Sequence, residues 1–191
     1  MSEPICVGFV GENGAGKSTA MRLIRSAIFP HSFKELRFSS ILAEGLKTFG
    51  ITESRENLQV MAQLLDSGFG KGTLSRALVA RAKNMTEEIL FLDGVRWLTD
   101  EEAVRSFKQN LIIYVTAPQE VRFKRLLERK EKSGEDTMTW EQFLKEDSAL
   151  NEQFTSDIGS RANFTISNPL EDSSIQTVIE AVRMRLGHPV C

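Results

Sequence analysis

A glycine-rich stretch near the amino terminus constrains this chain more than any other part of it. Residues 9–19 read Phe-Val-Gly-Glu-Asn-Gly-Ala-Gly-Lys-Ser-Thr, which contains the phosphate-loop pattern G-x-x-x-x-G-K-[ST]. An apolar run at 5–10 precedes this stretch, and a helical pattern of apolar residues follows it. A strand, a tight turn and a helix in this order are the context that the motif requires. The sequence therefore predicts a loop that binds the phosphates of a nucleotide at the end of the first strand.

The positions of the predicted loop have separate chemical roles. Glycines allow consecutive backbone N–H groups to turn toward an anion, and the helix that follows adds its unpaired N–H groups and positive dipole end. We expect Lys17 to reach the β- and γ-phosphates of ATP and the Ser18 hydroxyl to ligate Mg²⁺. The predicted nucleotide-binding residues of the loop are Gly11, Asn13, Gly14, Ala15, Gly16, Lys17, Ser18 and Thr19. ATP and Mg²⁺ are thus the predicted cofactors, and a glycine-rich turn with an incidental lysine is the alternative.

The composition narrows the class of protein. With 191 residues, of which 41% are hydrophobic and 26% charged, residues 1–191 are expected to form a single domain around one core. The formal net charge of −2 provides no general attraction to nucleic acid, and no apolar run approaches a membrane span. We therefore expect neither a nucleic acid nor a membrane as partner. Cys6 and Cys191 lack metal-ligand spacing and no signal segment precedes the first strand, so a cytoplasmic location is expected.

Strand and helix patterns alternate along the rest of the chain. The predicted strands are 5–10, 36–38, 88–93, 110–115 and 163–166, and one predicted helix runs from Trp140 to about Phe154 with Thr139 as its cap. The third and fourth strands are apolar throughout, as is typical of parallel strands that are buried on both faces. This alternation predicts an α/β fold with a parallel sheet, right-handed crossovers and helices on both faces. The ligand site is expected at the carboxyl ends of the strands.

Two candidate residues follow the third predicted strand. Asp93 closes that strand and is a candidate to contact Mg²⁺ directly or through water, although an aspartate that caps a turn is the alternative. Gly94 comes next, where several nucleotide hydrolases place a glutamate to activate water, and this favours transfer over hydrolysis. Arg96 is placed to hold a phosphate or carboxylate of the acceptor bidentately, with a surface arginine as the alternative.

The helix after Pro118 carries four basic residues on one face. Arg122, Arg125, Arg129 and Lys132 follow each other at spacings of three, four and three. A solvated basic face with acidic partners is one interpretation. The other places Arg125 and Arg129 over the triphosphate, because this helix leaves the fourth strand beside the loop. Arg55 is a further candidate for contact with the acceptor, with a surface role as the alternative.

Four segments carry a family resemblance. Residues 11–19, 93–96, 117–129 and 139–147 resemble the P-loop nucleoside monophosphate kinase family. Together with residues 55–59 they are most similar to its adenylate-kinase-related, dephospho-coenzyme A kinase-like and phage-type deoxynucleotide kinase branches. The resemblance implies a three-layer P-loop NTPase fold with a five-stranded parallel sheet in the order 2-3-1-4-5. It also implies an acceptor-binding insertion at about 38–85 and a lid at about 130–140.

The resemblance further implies roles for individual residues. Arg125 matches the family arginine that packs on the adenine, and Arg129 the one that reaches the donor phosphates. Arg96 matches the arginine that binds the acceptor phosphate, one residue closer to the acid than in the family. Ser39 falls in the implied acceptor-binding segment, as does Arg55. The implied catalytic residues are Lys17, Asp93 and Arg129, and the implied metal-binding residues are Ser18 and Asp93.

The resulting prediction is an ATP-dependent kinase. Its acceptor is expected to be a nucleoside or deoxynucleoside monophosphate or a similar small phosphorylated metabolite. A dephospho-coenzyme A kinase-like enzyme is one alternative, with a sugar hydroxyl as acceptor and Asp93 assisting as base. A non-catalytic nucleotide-binding regulatory module is the other. Residues 39–43 and 133–160 contain no arginine, in contrast to the matching segments of adenylate kinases, and this departure leaves a non-nucleotide acceptor open.

Overall fold

A five-stranded parallel sheet forms the centre of the protein. The computed structural model describes residues 3–129, 138–148, 154–167 and 172–187, with the side chains of these ranges except those of Arg55, Arg129 and Asp172. The strands are β1 (Ile5–Val10), β2 (Phe33–Arg37), β3 (Ile89–Val95), β4 (Asn110–Thr116) and β5 (Phe164–Ser167). Their order across the sheet is β2-β3-β1-β4-β5, and every neighbouring pair is parallel. The predicted fold class and strand order are confirmed.

Helices cover both faces of this sheet. In the described ranges they are α1 (Lys17–Ala27), α2 (Phe38–Thr48), α3 (Arg55–Phe69), α4 (Thr73–Ala82), α5 (Leu98–Arg105), α6 (Gln119–Arg129), α7 (Trp140–Asp147), α8 (Thr155–Ser160) and α9 (Asp172–Arg185). Phe9 of β1 packs in one core cluster with Ile24 of α1 and Val178 of α9. The next residue, Val10, packs in a second cluster with Leu78 of α4, on the opposite face. Alternate residues of the strand thus pack against the helices on opposite faces of the sheet. None of the described helices has the length and apolar character needed to cross a bilayer.

The second and third strands differ from their predicted bounds. β2 begins at Phe33 rather than Leu36 and ends at Arg37, because Phe38 is the first residue of α2 and packs into the core. Its exposed lysine and glutamate do not fit the apolar pattern of a buried strand. β3 continues past Asp93 to Val95, and the register with β1 shifts there, since Phe9 pairs with Asp93 and Val10 with Val95. Asp93 therefore lies at an irregularity inside the strand rather than at its last position.

The predicted helix over 140–154 is also shorter than expected. Thr139 accepts a hydrogen bond from the backbone N–H of Gln142 and caps α7, as predicted. The helix ends at Asp147, and α8 begins at Thr155 after residues that lie outside the described ranges. Most of the predicted lid at 130–140 likewise lies outside them. The end of α7 places Asp147 where it contacts α6, which matters for the site.

Candidate functional site

The phosphate loop packs tightly against two neighbouring elements. Gly11 follows β1 with φ of 150°, and a Cβ atom at this position would lie 2.1 Å from the carbonyl oxygen of Val115 in β4. Gly14 has φ of 79°, and a Cβ there would lie 2.8 Å from the carbonyl oxygen of Arg122 in α6. Both positions exclude a side chain for reasons of space as well as backbone conformation. The glycine spacing of the motif thus reflects the close approach of the loop to β4 and α6.

Cations hold the backbone carbonyls of this loop. Lys17 Nζ donates to the carbonyl oxygens of Gly11 at 2.5 Å and Glu12 at 3.0 Å. On the α6 side, three further carbonyls accept from guanidinium groups: Asn13 from Arg122 at 3.4 Å, and Gly14 and Ala15 from Arg125 at 3.4 and 3.3 Å. In a trans peptide the C=O and N–H point in opposite directions. The N–H groups that follow Asn13, Gly14 and Ala15 therefore point away from α6, and the N–H that follows Gly14, that of Ala15, donates to the carbonyl oxygen of Glu12 at 3.2 Å.

The first turn of α1 begins directly after the loop. Gly16 is the N-cap with φ of 104°, and neither a side-chain cap nor an acidic residue occupies the first turn. Ser18 and Thr19 are accessible in this turn, as the predicted contacts with Mg²⁺ and phosphate require. Because the unpaired N–H groups of a helix start carry partial positive charge, this end of α1 favours a phosphate. The structure thus brings the predicted loop residues from Gly11 to Thr19 together in the turn between β1 and α1 and in the first turn of α1.

Asp93 lies beside this loop and is paired with an arginine that the sequence did not single out. Arg37, the last residue of β2, places Nε 3.3 Å from Asp93 Oδ2 and also pairs with Glu35. The register Arg37↔Asp93 across β2 and β3 produces this contact. Asp93 Oδ1 is buried, and no described residue hydrogen-bonds to it. A buried carboxylate oxygen at this position suits a hard cation such as Mg²⁺, so Asp93 fits the predicted metal role, and the metal role of Ser18 stays a prediction.

The segment after β3 is held by a buried carboxylate. Asp100 Oδ2 accepts hydrogen bonds of 3.1 Å from the backbone N–H groups of both Arg96 and Trp97, and Oδ1 accepts one of 2.7 Å from Ser75 of α4. Burial raises the pKa of Asp100, although these hydrogen bonds and the charge of Arg96 act in the opposite direction. Arg96 is thereby fixed by its backbone at the carboxyl edge of the sheet, where its predicted role places it.

An open cleft lies along α2 and the segment that follows it. It has a volume of about 660 Å³ and is lined in part by Arg37, Ser39, Lys47 and Glu53. Ser39, a predicted acceptor residue, thus lines a cleft, and Arg37 connects this cleft to Asp93. Arg55 begins α3 just beyond the lining residues. The side chains of Arg55 and Arg129 lie outside the described part of the structure, so their predicted contacts stay predictions.

A known protein family matches the part of the chain that contains this site. A sequence model described as an AAA domain (AAA_17) matches residues 10–143, which include the loop, Asp93 and α6. The chain belongs to this AAA domain family. Among its relatives, the UPF0200 protein of Sulfurisphaera tokodaii is 28% identical over 170 residues, covering 89% of each chain. The UPF0200 protein PH1008 of Pyrococcus horikoshii is 25% identical over 178 residues, covering 91% of this chain and 92% of the relative.

Solved structures share the fold of this AAA domain. TT1252 from Thermus thermophilus superposes with a TM-score of 0.60 at 19% identity, over 97% of this chain and 99% of that one. Shikimate kinase from Bacteroides thetaiotaomicron has a TM-score of 0.57 at 12% identity, over 96% and 98% of the two chains. Shikimate kinase from Acinetobacter baumannii, in complex with shikimate, has a TM-score of 0.51 at 14% identity, over 96% and 94%. The P-loop kinase-like fold, and with it the resemblance to the nucleoside monophosphate kinase family, is confirmed.

Two further contacts in the AAA domain were missed by the sequence interpretation. Arg122 is not part of a solvated face, because its side chain is 5% exposed and pairs bidentately with Asp147 of α7. The tyrosine of β4, Tyr114, donates to Glu12 Oε1 at 2.5 Å. The acidic residue Glu12 inside the predicted phosphate loop was a signal for the second contact. Nothing in local spacing indicated the first, because 25 residues separate its members.

Proposed function

We propose that this chain is an ATP-dependent phosphotransferase that acts on a small molecule. One observation carries the proposal. On the α6 side of the phosphate loop, Arg122 and Arg125 donate hydrogen bonds to three consecutive backbone carbonyls, those of residues 13–15. In this proposal the N–H groups of Gly14 and Gly16 face the bound anion from the other side of the loop, while that of Ala15 donates to the carbonyl oxygen of Glu12 within the loop. When bound, ATP supplies the phosphoryl group, and Mg²⁺ neutralises charge on its β- and γ-oxygens.

The residues around the loop have distinct proposed roles. Lys17, which is hydrogen-bonded to two loop carbonyls, reaches the β- and γ-phosphates, and Ser18 with Asp93 holds the metal. Arg125 lies against the loop and packs near the adenine, as the family resemblance implies. Arg129, one helical turn further along α6, contributes positive charge to the transferring phosphoryl group.

The proposed acceptor site is the cleft along α2. This choice is supported by Arg37, which lines the cleft and pairs with Asp93, the proposed metal ligand. Ser39 supplies a hydrogen-bonding hydroxyl there, and Arg96, with Arg55, supplies charge for an acceptor phosphate. We propose a nucleoside or deoxynucleoside monophosphate, or a similar phosphorylated metabolite, as the acceptor. In that case its phosphate oxygen is the nucleophile and no protein base is needed.

One observation favours a second class of acceptor, a neutral hydroxyl. Arg37 is paired with both Asp93 and Glu35, and the cleft that it lines also carries Glu44 and Glu53. A hydroxyl nucleophile loses a proton during transfer, and in this alternative Asp93, which Arg37 joins to the cleft, is the proposed base. Dephospho-coenzyme A and shikimate, the ligand named for one structure of the same fold, are the corresponding test compounds.

The decisive experiment measures ADP formation by the purified protein with ATP and Mg²⁺. The acceptors are nucleoside monophosphates, deoxynucleoside monophosphates, dephospho-coenzyme A and shikimate, each in separate reactions. We expect ADP to form only with an acceptor, and the class that supports turnover identifies the reaction. Phosphorylated product is confirmed by mass spectrometry, because simple hydrolysis also releases ADP.

Two controls separate transfer from binding. Lys17→Ala should abolish turnover, while Lys47→Ala, which removes a lysine from the acceptor cleft, should alter the acceptor KM and leave ATP affinity unchanged. ATP binding without turnover on any acceptor contradicts the phosphotransferase proposal and favours a regulatory nucleotide-binding module. Equal ADP formation with and without acceptor contradicts it in favour of hydrolysis.

A further inference from the structure

Arg122 links the phosphate loop to α7. Its Nε donates to the carbonyl oxygen of Ala117 at 3.1 Å, and Nη1 donates to that of Asn13 at 3.4 Å. Nη1 and Nη2 also donate to the two carboxylate oxygens of Asp147, the second at 2.7 Å. The planar guanidinium thus bridges the end of β4, the loop and α7. A fork of this kind fixes its partners in angle as well as distance.

Asp147 is held in place from several sides. Gln119, at the start of α6, donates to Asp147 Oδ2 at 3.0 Å. One turn earlier in α7, Phe143 is buried, and the Arg122 guanidinium lies 5.4 Å from the centre of its ring. Phe123 packs against Phe143 with ring centres 5.5 Å apart. The side chains of Arg122 and Asp147 are only 5% and 11% exposed, so water screens their attraction weakly.

The loop is in direct contact with α6 at this point. A Cβ atom on Gly14 would lie 2.8 Å from the Arg122 carbonyl oxygen. Because the two backbones are this close, a displacement of the first turn of α6 toward the loop would displace the loop as well. The N–H group after the Asn13 carbonyl belongs to Gly14, and it faces away from Arg122 because the peptide is trans. The orientation of the Arg122 side chain therefore affects one of the N–H groups that point toward a bound phosphate.

We propose that Asp147 is a positioning residue for the nucleotide site, which acts through Arg122 to hold the Asn13–Gly14 peptide in its phosphate-binding orientation. This inference deepens the proposed function and rests on its assignment of the phosphate loop as the ATP site. Asp147 itself lies in α7 and is not placed among the groups that contact ATP. Its effect is therefore on the geometry of the loop, and α7 influences ATP binding without contacting the nucleotide.

The test compares Asp147→Asn with Glu101→Gln. The control weakens another carboxylate–arginine pair, which joins α5 to the end of α8. In this pair Glu101 Oε2 lies 2.7 Å from Arg161, and the side chain of Glu101 is 13% exposed. Hydrogen exchange of residues 11–16 is measured without ligand, and the Kd for ATP with Mg²⁺ is measured by calorimetry. We expect Asp147→Asn to speed exchange in the loop and to raise the Kd about tenfold, the scale of one charge-assisted hydrogen bond. Glu101→Gln should change neither.

A conservative variant distinguishes positioning from general destabilisation. Arg122→Lys keeps a positive charge but loses the bidentate geometry, so it should behave like Asp147→Asn and not like wild type. In steady-state kinetics of either variant, the fold increase in KM for ATP should exceed the fold decrease in kcat. Wild-type Kd and loop exchange in Asp147→Asn, or equally faster exchange throughout the chain, would overturn the proposal.

The two proposals fail in different ways. ATP binding that weakens in Asp147→Asn, in a protein that transfers phosphate to no acceptor, removes the proposed reaction and keeps the positioning role. Failure of the wild-type protein to bind ATP removes both. If Asp147→Asn does not fold, the exchange and Kd measurements on Arg122→Lys decide the question, and wild-type values for that variant overturn the proposal.

Discussion

The Tyr114 hydroxyl donates a hydrogen bond of 2.5 Å to Glu12 Oε1, which joins β4 to the second residue of the phosphate loop. The other carboxylate oxygen, Oε2, is buried and has no hydrogen-bond partner among the described residues. A carboxylate so close to the proposed phosphate site is electrostatically unfavourable for phosphate. The hydrogen bond from Tyr114 holds one of its oxygens against β4.

This contact predicts an abnormal titration of the single tyrosine of the chain. Burial, followed by the hydrogen bond to Glu12 and its charge, raises the pKa of Tyr114 above its ordinary value of 10.0. The folded state holds the phenol proton more tightly, so this stabilisation is present below the unfolded pKa and is lost as pH rises through the folded pKa. Ultraviolet absorbance of tyrosinate measures it directly.

Glu12→Gln is the matched variant for this titration. We expect the pKa of Tyr114 to fall toward its ordinary value but to stay above it, because burial is the larger cause. A Tyr114 that titrates normally in the folded wild-type protein would contradict the contact.

The close approach of Gly11 to β4 predicts an unequal cost for two glycine substitutions. Gly187 has φ of 81° and open space where a Cβ atom would lie, so Gly187→Ala should cost about 1–2 kcal/mol through backbone conformation alone. Gly11→Ala adds a clash with the Val115 carbonyl oxygen at 2.1 Å and should cost about 1–3 kcal/mol more. Urea unfolding of both variants measures the difference, and equal costs would contradict the packing of the loop.

The proposed metal role of Asp93 predicts a selective effect on Mg²⁺ dependence. Asp93→Asn removes the charge of the buried carboxylate, so turnover should fall about 100-fold and the Mg²⁺ concentration for half-maximal rate should rise. Glu35→Gln is the control, since it removes the other carboxylate partner of Arg37. Steady-state rates across a Mg²⁺ series make the comparison, and an identical Mg²⁺ response in both variants argues against Asp93 as a ligand.

The buried carboxylate of Asp100 predicts a pH effect on stability. Because burial raises its pKa in the folded state, the folded protein binds this proton more tightly than the unfolded chain does. Its contribution to stability is therefore present below the ordinary value of 3.8 and declines as pH rises through the folded pKa. Asp100→Asn removes this decline.

The measurement is the free energy of unfolding as a function of pH. We expect Asp100→Asn to gain stability relative to wild type as pH rises from the unfolded toward the folded pKa, since an amide oxygen still accepts from the Arg96 and Trp97 N–H groups. Ser75→Ala, which removes the partner of the other oxygen, should retain a pH-dependent term. A constant difference between Asp100→Asn and wild type at all pH values would refute the assignment.

Much of the fold was available from local sequence patterns. The phosphate-loop motif specified the turn after β1, because its glycines occupy positions where a side chain meets the backbone of β4 or α6. Apolar runs located β1, β3 and β4, since these central strands are buried on both faces. β2 was misplaced because an edge strand is half exposed and carries polar residues. The same patterns could not give the end of α7, which depends on its packing.

The sequence alone determined that this chain forms a parallel α/β sheet with a phosphate loop at the carboxyl end of its first strand. Those features depend on residues that are neighbours in the chain. Only the tertiary structure decided that Arg37 pairs with Asp93, that Tyr114 donates to Glu12 and that Arg122, which contacts the loop, pairs with Asp147. Each of these contacts joins elements that are distant in sequence, and each depends on strand register or helix docking. Local periodicity carries no information about such distances, because it records which face of an element is buried and not which side chain lies across the interface.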